Sequence, residues 1–180
     1  MLYIVTALKS EAQAFVEKYS LKQEKLGKYK IFKNKNIILI IGGIGVYSAR
    51  LATQTLINQF DITDDDIYLN VGICGADRSF EIGELIEIGS IVYEEQNYEI
   101  NRRISHKIYC SDEEVSTDNH TLVDMESFGF YDAVVHSTAI KKSFIFKVVS
   151  DHFEPETITK DMTKSLLFNK IDDINKIIFR

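Results

Sequence analysis

The chain has one proline, two cysteines and four histidines in 180 residues, and its formal net charge is −6 rather than basic. Each shortage closes off a class of protein. The lone proline, Pro155, leaves no proline-rich linker, and no low-complexity tract or repeat takes its place. Cys74 and Cys110 lack metal-type spacing, and Cys74 sits in an apolar glycine loop. Both are expected to be reduced thiols in a cytoplasmic protein. His106, His120, His136 and His152 form no ligand pair at helical spacing, so neither a metal site nor a cofactor is expected. No apolar run reaches the roughly 18 residues a membrane span needs. The opening MLYIVTAL is too short for a signal peptide and lacks a basic flank, so it is expected to be a core strand. Basic residues concentrate in KQEKLGKYKIFKNKN (22–36), but acids and apolar residues interrupt them. No partner of nucleic-acid type is expected, because the charge balance opposes it. A Lys-studded strand edge that discourages pairing is the better reading.

What is present suffices for one packed unit. Hydrophobic residues make up 45% of the chain, enough for a sizeable core at this length, and residues 1–180 are expected to form a single domain. Strands are expected at 2–8, in KYKIFKN and NIILII around an Asn-Lys-Asn turn, in IYLNVGI, IGSIVYE and HKIYCS, and in FIFKVVS. The last is a continuous apolar run of the kind buried on both faces. Helices are expected from Ser10, with Gln13 completing a capping box, from Val46 to Phe60, from Met125 to Thr138, and from Ile158 to Phe179. Alternating strands and helices predict an α/β fold: a mostly parallel mixed sheet flanked by helices as a three-layer sandwich.

Ligands of such sheets sit beyond the carboxyl ends of the strands. The sequence brings Glu11, the glycines of GGIG (42–45), GICGA (72–76), Met125-Glu126 and Ser150-Asp151 to that edge. Each has a bland reading. Glu11 lies in a first helical turn, where the macrodipole favours an acid. GGIG resembles a phosphate cradle but lacks the full dinucleotide pattern and the P-loop lysine, and a tight turn explains it. Asp124 and Glu126 suit a helix start, and Asp151 suits a loop cap. The functional reading rests on the set.

The set, in order, is similar to a known family. TALKSEAQAF, GGIGVYSARLATQTLI, NVGICGADRSFEIGELIEIGSIVY, VDMES and VVSD resemble the nucleoside phosphorylase/nucleosidase superfamily, and look most like its 5′-methylthioadenosine/S-adenosylhomocysteine nucleosidases. The resemblance implies a purine nucleoside as the small-molecule partner and hydrolysis of its N-glycosidic bond. It implies that Glu11 deprotonates the attacking water, and that Asp151 hydrogen-bonds or protonates purine N7. Glu126 would hold the ribose hydroxyls and Met125 would pack on the sugar. Gly43, Ile73, Cys74, Gly75 and Ser150 complete the implied binding set, and a homodimer is implied as well.

The chain departs from the pattern in places. Ile73 replaces a serine and Lys147 stands near a usual arginine. The segments after SIVYEEQ and before HTLVDMES are shorter, and Glu114 or its neighbours take the place of a base-stacking aromatic residue, so Phe153 becomes the candidate for stacking. A phosphorylase needs cations for a phosphate dianion. Asn70 and Ile73 stand where phosphate ligands would be, and Glu11 would repel phosphate. Hydrolysis is therefore expected. A phosphorylase using Arg50 or Arg78, and a non-catalytic nucleoside-binding protein, remain open alternatives at this point.

Overall fold

The computed structural model describes residues 1–117 and 119–180. Its centre is a parallel ladder. β1 (Leu2–Thr6) lies between β4 (Ile37–Ile41) and β5 (Ile67–Ala76), and β5 pairs along its far edge with β11 (Lys142–Asp151). These strands carry the apolar runs, and Ile4, Leu39, Leu69 and Phe146 are fully buried. Burial on both faces is what such runs specify.

Antiparallel and short strands extend the ladder. β2 (Lys22–Leu26) and β3 (Tyr29–Lys33) form the edge beside β4. β2 is almost wholly exposed and carries Lys22 and Lys25, so the expected Lys-studded edge is there. The Asn-Lys-Asn turn closes as expected, with Asn34 Oδ1 accepting from the N–H groups of Asn36 and Ile37. On the other side, β10 (Leu122–Asp124) continues to β9 (Lys107–Cys110), β7 (Ser90–Tyr93) and β8 (Gln96–Glu99), while β6 (Leu85–Glu87) pairs with β11.

Helices cover both faces. α1 (Lys9–Tyr19), α4 (Lys160–Phe168) and α5 (Ile171–Ile178) share one core with Leu69 and Phe146. α2 (Val46–Gln59) and α3 (Ser127–Val135) cover the other, with Tyr68, Ile145 and Phe130. The α/β sandwich expected from the sequence is thus borne out, with its parallel strands at the centre and antiparallel pairs outside.

Three local expectations differ. α1 begins at Lys9 after Leu8, so Ser10 sits inside the first turn rather than capping it. Glu11 reaches back to the Leu8 N–H instead, at 2.9 Å. The closing helix is two helices, broken at Asn169-Lys170, yet Leu167, Ile171, Ile174 and Ile178 remain one buried stripe. β6, β8 and β10 are extra strands: β6 and β10 have three residues each and β8 is mostly exposed and polar, so none carries a periodic signal.

One close approach sets the site. A Cβ on Gly129 would fall 1.9 Å from the Val46 carbonyl oxygen. Only glycine lets α3 lie this close to the start of α2. That contact brings the residue before α3, Glu126, against the glycine loop before α2.

Candidate functional site

The site forms where β5 loses its neighbour. β1 pairs with residues 67–70 of β5, and β10 pairs with Gly75 and Ala76 on the same edge. Between them, Val71–Cys74 have no strand on that edge among the described residues. An unpaired buried N–H there needs an acceptor. Glu11 supplies it: Oε1 accepts from the Ile73 N–H at 3.0 Å, while Oε2 accepts from the Ala7 and Leu8 N–H groups at 2.9 Å each. The carboxylate that opens α1 thus closes the split in the sheet. Gly72 makes room for it, since a Cβ there would stand 2.7 Å from Oε1 and 3.5 Å from Lys147 Nζ.

Glu126 is held from the other side. Its Oε1 accepts from the Gly45 N–H at 3.0 Å. Gly43 and Gly45 have φ of +98° and +97°. The loop that resembles a phosphate cradle therefore turns its N–H toward the protein's own carboxylate. Asp124 orients the same segment. Its Oδ2 accepts from the Ser127 N–H at 2.9 Å and the Glu126 N–H at 3.3 Å, and Oδ1 accepts from Ser127 Oγ at 2.6 Å. Behind it Lys147 Nζ lies 2.6 Å from Asp124 Oδ2, with both side chains 1% exposed.

Asp151 comes from a bulge. β11 pairs Val149 with Cys74 but Asp151 with Gly75, so Ser150 is one residue extra. Bulges re-aim side chains at strand ends. Ser150 Oγ stands 2.6 Å from Asp151 Oδ2 and 3.1 Å from the Cys74 carbonyl oxygen, and Asp151 Oδ1 accepts from the Glu154 N–H at 3.0 Å.

These groups surround one cavity of about 720 Å³. Glu11, Ile73, Cys74, Gly75, Met125, Glu126, Ser150 and Asp151 all line it. Two expected residues lie off the lining. Gly43 borders a separate pocket with Lys28, Lys30 and Tyr47. Phe153, at φ +63°, packs behind Gly75, whose Cβ would meet its ring at 3.4 Å. Asn70 ties the sheet together, donating from Nδ2 to the Val5 carbonyl at 3.2 Å.

Burial dominates the electrostatics. It pushes the Glu11 carboxyl up, against three N–H bonds and the Lys147 charge. It pushes Glu126 up to about 7, helped by the nearby Asp124 and Glu11 charges and opposed by Lys147. Burial alone would lower the Lys147 ammonium, but Asp124, Glu126 and Glu11 together raise it. Burial also raises the Cys74 thiol, which stays protonated and inert. One firmly charged cation thus lies behind the cavity's carboxylates, and burial makes two of them, Glu11 and Glu126, readier to hold a proton, as acid–base chemistry requires.

Sequence reasoning left two supporting groups out of the site. Lys147, in the apolar run FIFKVVS, entered only as standing near a usual arginine, and a lysine in such a run was the signal of a buried partner. Gly72 was grouped with the loop glycines, although it lies inside β5.

Comparison with models of known protein families finds no match. The 5′-methylthioadenosine/S-adenosylhomocysteine nucleosidase of Staphylococcus carnosus (strain TM300) is 28% identical over 138 residues, 70% of this chain. The chain spans 59% of the length of that curated relative. Among solved structures, the 5′-methylthioadenosine/S-adenosylhomocysteine nucleosidase of Neisseria meningitidis, in complex with methylthio-immucillin-A, superposes with a TM-score of 0.78. It is 14% identical, with 98% of each chain covered. Futalosine hydrolase of Helicobacter pylori strain 26695 gives 0.74 at 16% identity, covering 96% of this chain and 97% of that one. The resemblance read from the sequence is therefore borne out as a likeness: the chain has the fold of these nucleosidases and of futalosine hydrolase, and its sequence is similar to that of a 5′-methylthioadenosine/S-adenosylhomocysteine nucleosidase.

Proposed function

We propose that this protein hydrolyses the N-glycosidic bond of a purine nucleoside. The observation that carries the reading is the convergence of Glu11, Glu126 and Asp151, from three separate segments, on one cavity. In this reading a water lies against Glu11 and attacks C1′ as the bond to purine N9 breaks. Glu11 takes the water's proton, and the C1′–N9 electron pair leaves with the purine. Asp151 gives a proton or a hydrogen bond to N7, which makes the base a better leaving group. Solvent then returns the proton from Glu11 to Asp151. Paired carboxyls divide acid and base work in this way in glycoside hydrolysis generally. Glu126 accepts hydrogen bonds from the ribose hydroxyls, and Met125 forms an apolar floor for the sugar.

The charge pattern supports water over phosphate. Glu11 would repel a dianion. Arg50 pairs with Asp132 at 2.8 Å, Arg78 is exposed, and neither lines the cavity. The homodimer belongs to the same reading. Ile44 at the cavity rim and Tyr47 beside it are 56% and 69% exposed, and a second copy would cover them. Light scattering on the purified protein tests this. A cytoplasmic setting is supported by the two free cysteines; no helix among the described residues is long and apolar enough to cross a membrane.

A panel of purine nucleosides, with 5′-methylthioadenosine, S-adenosylhomocysteine and futalosine among them, assayed by chromatography with and without phosphate, tests the activity. Base release without phosphate is expected. Release only with phosphate would mean phosphorolysis, and no release from any member would sink the reading.

A further inference from the structure

Lys147 is the buried group that the scheme above leaves without work. It stands mid-strand in β11, opposite Gly72 of β5. Its side chain crosses over that glycine to reach Asp124 on β10, and a Cβ on Gly72 would lie 3.5 Å from its Nζ. A fully buried ammonium is strongly disfavoured unless paired, and an apolar residue of similar length would fill the space without that penalty. Its retention therefore points to a task.

The groups facing Lys147 define the task. Asp124 and Glu126 come from the segment before α3, Glu11 from α1, Cys74 from β5 and Cys110 from β9. The two thiols are pushed up by burial and carry no charge. The interplay is thus between one cation and carboxylates. Asp124 receives the direct contact, and Asp124 also accepts the Ser127 and Glu126 N–H groups. Fixing Asp124 fixes the turn that presents Glu126. The same ammonium lies close enough to Glu11 for both to bear on one missing Cβ at Gly72.

We propose that Lys147 is the positioning residue of this cavity: it crosses β5 at Gly72 to lock the Asp124–Ser127 turn that carries Glu126, and it sets a positive charge beside Glu11, the base of the scheme. The role in turnover rests on the nucleosidase reading, while the geometry does not. Asp124 and Lys147 touch no substrate in this scheme. They act through Glu126 and Glu11.

The experiment compares pH–rate profiles of Lys147→Met, Lys147→Arg and Asp124→Asn with the wild type. Loss of the ammonium makes Glu11 harder to ionise. The acid limb of kcat should move up by about one pH unit or more in Lys147→Met, the usual reach of an opposite charge at this range. Its rate at neutral pH should drop about tenfold and recover as pH rises. Lys147→Arg keeps the charge and should restore the wild-type limb. Asp124→Asn removes an acid and leaves the ammonium to Glu11, so its limb should move down. A purely structural ion pair would lower stability and rate at every pH without moving the limb, and that result, in Lys147→Met or in Asp124→Asn alone should the former not fold, overturns the proposal. Titration of ¹³C-labelled glutamate carboxyls by NMR in the same variants gives the comparison without turnover. An inactive wild type would therefore refute the nucleosidase reading and leave this one to be decided by the Glu11 titration.

Discussion

The cavity has two unlike walls. The inner wall, made by Glu11, Asp124 and Glu126 with Gly72 and Lys147 behind them, is built across four segments, and every carboxylate in it is held by backbone N–H groups. The outer wall includes Glu114, Lys160 and Asp161, all exposed, and Lys164, whose ammonium pairs with Glu17. On the proposed function Glu11 and Glu126 of the inner wall meet the water and the sugar, whose chemistry is the same for every nucleoside. The outer wall meets the groups that vary between nucleosides. The first has to be rigid to within a fraction of an ångström. The second needs only shape.

The harshest way to break this contrast is Glu11→Gln. Removing a general base typically lowers kcat by about 10²–10⁴-fold. The same change weakens the fold. Glu11 accepts three N–H bonds with two oxygens, and the amide of Gln would turn an NH₂ toward at least one of those donors. An unsatisfied buried donor costs about 1–3 kcal/mol. Denaturant unfolding should show that loss together with the kinetic one. A variant that loses activity at wild-type stability would mean the carboxylate is not the closure of the sheet described above.

Gly72→Ala attacks the same wall without touching a charge. Its Cβ would sit 2.7 Å from Glu11 Oε1, and three N–H bonds prevent that oxygen from retreating. A displacement of this size can lower kcat by about a hundredfold. KM should change less, because Glu126 and Met125 are untouched. Equal loss of kcat in a remote control such as Gly27→Ala, whose added Cβ meets open space but at a strained φ of +57°, would remove the argument.

These two residues also mark what the sequence disclosed. Glu11 was legible as a helix-start acid, and only motif order gave it a reason to face a cavity. The parallel core, the edge β2 and the stripe of α5 followed from periodicity. The split between β1 and β10 did not. It depends on where two strands stop pairing with a third, which no local pattern encodes. Lys147 was obscured for the same reason. A lysine in an apolar strand signals a buried partner, but its partner lies 23 residues away on a three-residue strand, as the numbering of Asp124 and Lys147 shows. Phe153 was the candidate for stacking on the base because Glu114 or its neighbours take the place of the family's aromatic residue. The left-handed backbone of Phe153 turns it behind Gly75 instead.

A subtler distinction is in the pH dependence of stability. Glu126 is shifted from 4.5 up to about 7 in the folded protein. Below about pH 4.5 it is protonated in both states and has no effect. Between 4.5 and 7 the unfolded chain ionises first, so stability falls as pH rises and levels off above 7. The loss is about 2 kcal/mol, allowing for the part of the side chain that still meets solvent. Glu126→Gln should flatten the curve, so that wild type minus variant falls by that amount from pH 4 to pH 8 in thermal or urea unfolding. A parallel pair of curves would mean Glu126 ionises freely and the inner wall is wetter than its geometry implies.

The gentlest change tests the outer wall. Glu114 lines the cavity and is exposed. It can be replaced without unsettling the fold. Glu114→Phe would give a purine a face to stack on, worth about 0.5–1.5 kcal/mol in well-oriented aromatic pairs. KM should fall about three- to tenfold by the same conversion, with kcat unchanged, because the inner wall still sets the chemistry. Comparing nucleosides that differ only in the base locates the gain, which should follow the size of the ring system. A rise in KM would mean that the Glu114 carboxylate itself holds the base, and the outer wall would then be as specific in its bonding as the inner one.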